Sequence, residues 1–291
     1  MLFLSQLVNG LHVGSIYALI ALGYTMVYGV VKLINFAHGD ILMVGAYSAL
    51  VCITTVGLPI WLVVPLAMLM CVVLGVLIER IAYKPLRASP RISSLITAIG
   101  ISLLLQNLSQ LIFGPTAKTF PSVFPQVVYN IGGLRIGFTT LLTIVLSLVL
   151  MVGLQALVSG TKTGKAMRAV SEDMGAAQLM GINVSTTISI TFAIGSALAA
   201  VGAILYSAAY PRIEPIMGSM PGLKAFIAAV LGGIGILPGA MLGGFIMGVL
   251  ESLTKGYISS QLADAVVFAI LIIVLLVKPS GILGKRTSEK V

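Results

Sequence analysis

The most informative polar stretch in this chain is Asn35-Phe36-Ala37-His38-Gly39-Asp40, lying between two apolar segments with Lys32 just before it. An amide, an imidazole and a carboxylate so close together admit two readings. In one, the stretch is an interfacial loop, and Asp40 caps a helix that begins at residue 41. In the other, it breaks a membrane helix, and Asn35, His38, Gly39 and Asp40 line a pathway. A helix N-terminus near mid-membrane offers N–H groups to an anion such as a carboxylate.

Covalent chemistry finds little support elsewhere. The chain contains no His-Glu-x-x-His, Gly-x-Ser-x-Gly or Cys-x-x-Cys pattern, so no catalytic residue and no metal ligand is assigned. His12 and His38 are its only histidines, too few for a histidine metal site, and His12 reads as a tucked core residue. Cys52 and Cys71 sit in apolar runs and read as small buried thiols. Gly160-Thr161-Lys162-Thr163-Gly164-Lys165-Ala166 falls short of a phosphate-binding loop. That motif needs four residues between its glycines and Ser or Thr after the Lys; three and Ala166 are found. If ATP drives this protein, another chain hydrolyses it, and no cofactor is expected on this one.

Two further segments carry signals. Residues 232–239 break an apolar run with Gly232, Gly233, Gly235 and Gly239, and are expected to line the same pathway as 35–40. Freed backbone groups cannot face lipid. The spacings Gly235-x-x-x-Gly239, Gly239-x-x-x-Gly243 and Gly244-x-x-x-Gly248 allow close helix packing. Glu251 and Asp264 border this region as intramembrane acids. The loop 160–185 reads as an amphipathic helix opened by Gly164, with Ala166, Ala169, Ala176 and Ala177 as a small-residue surface. It suits either a membrane surface or contact with a partner.

The elements that must position these residues follow from composition. Of 291 residues, 58% are hydrophobic and 9% charged, and the mean hydropathy is +1.12. Soluble domains carry about 25% charged residues. A soluble enzyme is thereby set aside, and the +9 charge fits a membrane surface and its lipid, with no nucleic acid. Apolar runs long enough to span recur along the chain. About eight hydrophobic elements result, near 4–30, 41–56, 60–78, 92–113, 138–158, 186–207, 222–252 and 262–277. The fold class is therefore all-α: a polytopic transmembrane bundle with broken or re-entrant helices, and a single domain over 1–291. The first run lacks a basic leader and reads as a retained helix.

Eleven of the 17 Lys and Arg fall in 79–91, 159–186 and the tail after 277, which are expected to be cytoplasmic. An inside C-terminus requires 208–277 to cross an odd number of times, with 222–252 either a hairpin of two short helices or re-entrant. Gly14-Ser15 loosely echoes Gly195-Ser196, which leaves an internal duplication open.

With these residues in view, the chain resembles the LivH-type permeases of branched-chain amino acid ABC importers. The likeness lies in Gly14-Ser15-Ile16-Tyr17-Ala18-Leu19-Ile20-Ala21-Leu22-Gly23-Tyr24, in Ile34-Asn35-Phe36-Ala37-His38-Gly39 and in Glu79-Arg80 with Ala82-Tyr83-Lys84-Pro85. It continues through Glu172-Asp173, Gly181-Ile182-Asn183, Lys224-Ala225-Phe226 with Ala228–Gly235, and Pro279-Ser280-Gly281-Ile282-Leu283-Gly284. Urea and short-chain amide permeases share the pattern and are the alternative within this class; a stand-alone transporter or channel is the alternative outside it. The resemblance implies a non-catalytic subunit in a bacterial inner membrane. Its implied partners are a second, LivM-like permease, two ATPase chains and a periplasmic binding protein. It also implies that Arg168, Glu172, Asp173, Ala176, Ala177 and Gly181 belong to a cytoplasmic loop that docks on an ATPase. The importer pattern there is Glu-Ala-Ala-x-x-x-Gly, whereas this chain has Gly175-Ala176-Ala177-x-x-x-Gly181.

Overall fold

A computed structural model describes residues 1–87 and 89–284. The basic tail residues Lys285, Arg286 and Lys290 lie outside the described residues. Helices dominate: α1 (Leu2–Val31), α2 (His38–Thr54), α3 (Ile60–Ile78), α4 (Arg91–Phe113), α5 (Phe138–Gly160), α6 (Lys162–Glu172), α7 (Met174–Leu179), α8 (Val184–Ala209), α9 (Ser219–Gly232), α10 (Leu237–Tyr257) and α11 (Ala263–Val277). Six helical stretches are long and apolar enough to cross a membrane, those of α1, α3, α4, α5, α8 and α10. The other hydrophobic helices, α2, α9 and α11, are shorter.

The sequence's run near 222–252 resolves as a hairpin, with α9 and α10 packed together and separated by residues 233–236. Gly233 and Gly235 turn the chain there at φ 109° and 94°, a backbone region that only glycine enters cheaply. Two features escaped the pattern of hydrophobicity. The loop 114–137 contains a hairpin, β2 (Val128–Ile131) with β3 (Leu134–Gly137), closed by Gly132-Gly133 at φ 58° and 85°. Strand β1 (Lys118–Thr119) pairs with β4 (Arg212–Ile213), joining that loop to the one after α8.

Helix α1 is the hub. It is apolar all round and buried from Gly14 to Val27, which is what a helix in the centre of a bundle requires. Helix α10 runs antiparallel along it, and α8 and α9 cover its other faces. Glycines set the approach. A methyl group on Gly244 would stand 2.7 Å from Cβ of Ala18, and one on Gly248 would overlap the Gly14 backbone. Likewise, one on Gly243 would overlap Ala228, and one on Gly232 would overlap Gly239. Membrane helices associate by such close packing, since lipid is as apolar as their side chains.

The order of long helix, short helix and spanning helix occurs twice, as α1–α2–α3 and α8–α9–α10. The two sets pack reciprocally: α1 lies on α10, and α8 lies on α3. Gly23 and Gly195 face each other where α1 and α8 cross, each bare of the Cβ that would meet the other's carbonyl at 3.0–3.2 Å. In the Gly14-Ser15 and Gly195-Ser196 echo, Gly14 packs against Gly248 of α10 and Ser196 against Gly75 of α3.

Buried charges bind α9, α10 and α11 together. Glu251, 2% exposed, meets Lys224 Nζ at 3.1 Å and Lys255 Nζ at 2.6 Å through one oxygen. Its other oxygen accepts from the Tyr17 hydroxyl at 2.9 Å. Lys224 also reaches Asp264 at 2.6 Å. At the other end of the bundle Glu79, fully buried, pairs with Arg87 and accepts from Ser189 at 2.7 Å.

Two outcomes are expected in thermal unfolding of the detergent-purified chain. Gly248→Leu should destabilise by more than the ~1–3 kcal/mol of ordinary overpacking, because its obstacle is backbone. Gly153→Leu, with open space at its Cβ, should match wild type. Separately, Lys224→Met should cost about 3–5 kcal/mol by removing the buried partner of Glu251 and leaving only the half-exposed Lys255. Lys255→Met, at a side chain 39% exposed, should cost clearly less.

Candidate functional site

Residues 32–40 turn from α1 into α2. Lys32 ends α1 in the left-handed region at φ 58°, and its N–H donates to the Tyr28 carbonyl at 2.8 Å. Asn35 is buried and accepts from the Tyr83 hydroxyl at 3.0 Å, which ties the turn to the short helical segment that follows α3. His38 is buried edge-on against Tyr24, ring centroids 4.7 Å apart. Its Nε2 lies where a Cβ on Gly23 would be, so the bare backbone at 23 makes its room.

Asp40 does not cap the helix from outside. It is the third residue of α2, whose N-cap is Ala37, and its own N–H donates to the Ala37 carbonyl at 3.0 Å. Its carboxylate, in a residue 2% exposed, accepts from Gln106 Nε2 of α4 at 3.0 Å. That same amide reaches Ser102 and Ser219, each at 3.2 Å. Ser219 begins α9, so the first turns of α2 and α9 meet head to head. Gly39, Gly218 and Gly222 permit this: a Cβ on Gly222 would stand 2.8 Å from Cα of Gly39. The junction borders a cavity of about 250 Å³ with Asp40, Ser102 and Ser219 at its polar side and Phe36, Ile99 and Leu223 at its apolar side.

Gly232, Gly233, Gly235 and Gly239 are not brought to this cavity. They form the turn between α9 and α10 at the end of the bundle, where residues 281–284 fold back onto them. The N–H of Ile282 donates to Leu231 O at 2.8 Å and that of Leu283 to Gly232 O at 3.0 Å. The tail thereby satisfies carbonyls that α9 leaves open at its C-terminus. The partner of the 35–40 break is instead the start of α9, marked in sequence only by Gly218-Ser219 and Gly222.

The loop 160–185 forms two helices instead of one. Thr161, not Gly164, opens α6, accepting from Gly164 N at 3.0 Å. Asp173 breaks the path and caps α7, accepting from Ala176 N at 2.9 Å. Gly181 ends the segment at φ 80°, and Asn183 caps α8 through Thr186 N at 3.0 Å. Between α6 and α7 lies an open, largely apolar groove of about 580 Å³ that includes Ala166, Ala169, Ala176 and Met180. Ala177 is buried, so it forms the floor of the groove and not its rim. Glu172 is exposed, and Arg168 donates to the Ser159 carbonyl at 3.3 Å, bracing α6 against α5. Leu179, 91% exposed, projects beside the groove, and Met180, 83% exposed, stands at its rim. On its inner side α6 packs on α1, α5 and α8, and a small cavity there is lined by Met26 and Val30 of α1, Val158 of α5 and Gly235 of the α9–α10 turn. Sequence reasoning passed over Leu179 and Met180, although two large apolar residues beside a glycine stop were a usable signal.

No group of three His, Cys, Asp or Glu side chains converges among the described residues.

Comparison with known proteins bears on what this arrangement serves. The family profile described as "Branched-chain amino acid transport system / permease component" matches residues 6–275. The high-affinity branched-chain amino acid transport system permease protein BraD of Pseudomonas aeruginosa is 45% identical, over 99% of this chain and 98% of its own. Escherichia coli LivH, of the same description, is 44% identical over the same shares. The probable LivH of Methanocaldococcus jannaschii is 33% identical over 93% of this chain and 89% of its own. No solved structure matches the chain. A polytopic helix bundle, matched along nearly its whole length by one profile and by relatives far above 30% identity, belongs to the permease components of branched-chain amino acid transport systems.

Proposed function

We propose that this chain is the permease subunit of an ATP-driven importer of branched-chain amino acids in a bacterial inner membrane. The observation that carries the reading is the 45% identity to a high-affinity branched-chain amino acid permease across 99% of the chain. The protein works with a second permease, two ATPase subunits that bind and hydrolyse the ATP, and a periplasmic binding protein. This chain binds no cofactor itself. The end bearing Arg80, Lys84, Lys162, Lys165 and Lys278 is cytoplasmic, as the basic excess there requires. The N-terminus, the β2–β3 hairpin and the β1–β4 pair lie on the periplasmic side.

Energy enters by contact. An exposed Leu179-Met180 pair beside an apolar groove is the kind of helix-and-groove surface that a partner protein covers. The ATPase seats α7 and its groove. Displacement of α6 passes to α1, α5 and α8, the spanning helices it packs against. The substrate moves along the side of the bundle where α2 and α9 meet, within reach of Asn35, His38, Gly39 and Asp40.

Co-expressed with its four partner chains and reconstituted in liposomes, the importer should take up leucine only with ATP and loaded binding protein. Uptake by this chain alone would overturn the reading in favour of a stand-alone transporter. In that assembly, Leu179→Asp or Glu172→Lys should cut leucine-stimulated ATP hydrolysis and uptake together, about tenfold for Leu179→Asp and less for the exposed charge. A rim charge is worth far less than a buried anchor. Asp173→Ala should lose the α7 cap, about 1 kcal/mol, and weaken coupling without altering membrane insertion.

A further inference from the structure

The acids of this chain are matched to bases with one exception among its buried carboxylates. Glu79 has Arg87, and Glu251 has Lys224 and Lys255. Asp40 is as buried as Glu251, and no Lys, Arg or His lies within ion-pair reach of it among the described residues. Its hydrogen-bond partner, Gln106, is neutral. The facing N-termini of α2 and α9 favour a negative charge there, but a helix end supplies only about half an elementary charge. A carboxylate held away from water wants a full cation, and an acid in a membrane-spanning bundle is a functional group until shown otherwise.

The cavity beside Asp40 indicates what that cation is. Its polar side offers the carboxylate with the hydroxyls of Ser102 and Ser219. Its remaining wall is Phe36, Ile99, Leu103 and Leu223 together with Tyr24 and three glycines, and carries no further charge. At about 250 Å³ it lies below the ~300–1,000 Å³ of drug-sized sites and suits a small molecule. Resting on the importer reading above, we infer that Asp40 receives the α-ammonium of the amino acid in transit. The substrate's aliphatic side chain lies on the Phe36, Ile99 and Leu223 wall, and its carboxylate faces the Ser219 hydroxyl at the start of α9. Asp40 is thus a specificity-determining residue of the membrane subunit, admitting an aliphatic ammonium and excluding neutral amides. The contact is transient, because one ion pair beside neutral hydroxyls releases what it holds.

The test uses the complete importer in liposomes with leucine-loaded binding protein. Asp40→Asn preserves the shape and the Gln106 contact, and Asp40→Glu preserves the charge. Leucine uptake should fall at least tenfold in the Asn variant and recover substantially in the Glu variant. Wild-type uptake by Asp40→Asn overturns the inference. So does loss of the second permease from the purified Asn complex, which would mean that Asp40 pairs with a basic residue of that subunit. A second measurement needs no Asp40 variant. With Ser102→Cys in a Cys52→Ser background, a cationic thiol reagent should label faster than an anionic one of equal size, and leucine should slow it. Equal labelling rates overturn the inference. A wild-type importer that moves no leucine would instead refute the proposed function, while the labelling preference still decides whether Asp40 attracts a cation.

Discussion

Close backbone contact at glycine holds this bundle together. Lipid gives helices no hydrophobic reason to associate, so what remains is packing at short range and the few polar contacts that water cannot replace. Gly14, Gly244 and Gly248 let α10 lie directly on α1, and Gly23 with Gly195 lets α8 cross it. With α1 enclosed, the positions of α8, α9 and α10 are no longer independent. The space that Gly23 leaves is filled by His38, which sets the start of α2. The start of α2 in turn rests on Gly218 and Gly222, which sets the start of α9. The candidate site is the end of this sequence of contacts.

The reciprocal packing of α1 on α10 and α8 on α3 places a polar clamp at each end. Glu79 with Arg87 and Ser189 holds one end, and Glu251 with Lys224, Lys255 and Tyr17 holds the other. Buried ion pairs contribute little net stability against an apolar replacement, yet breaking one is costly. Lys224 of α9 reaches Glu251 of α10 and Asp264 of α11, and Ser189 of α8 reaches Glu79, so these contacts help to fix which helices are neighbours.

Helix α6 lies across the end of this frame. Its inner face packs on α1, α5 and α8, and its other face opens to the groove shared with α7. The tail at 281–284 closes the same turn by hydrogen bonds to Leu231 and Gly232. A displacement at α7 therefore reaches α1 through α6, which packs on both. Packed interiors transmit displacement because they have little free volume to absorb it.

The sequence by itself determined the helical, membrane-spanning character, the approximate span boundaries, the basic loops and the glycine spacings that pack helices. Charge-free runs and small-residue spacing are local properties, legible one segment at a time. The head-to-head meeting of α2 and α9 depends on residues about 180 positions apart, and no local pattern links Gly39 to Gly218. For the same reason sequence alone does not tell the 35–40 break apart from the 232–239 glycines. Both are glycine-marked interruptions, but one lies in the interior and the other is a turn at the bundle's end. The short β-hairpin and the bend at Asp173 were missed because positive-φ glycines and a single cap override weak periodicity. Only the tertiary structure decided which acids find bases, since that depends on which helices are neighbours. It gave Glu79 to Arg87 and Glu251 to Lys224, and left Asp40 facing a cavity.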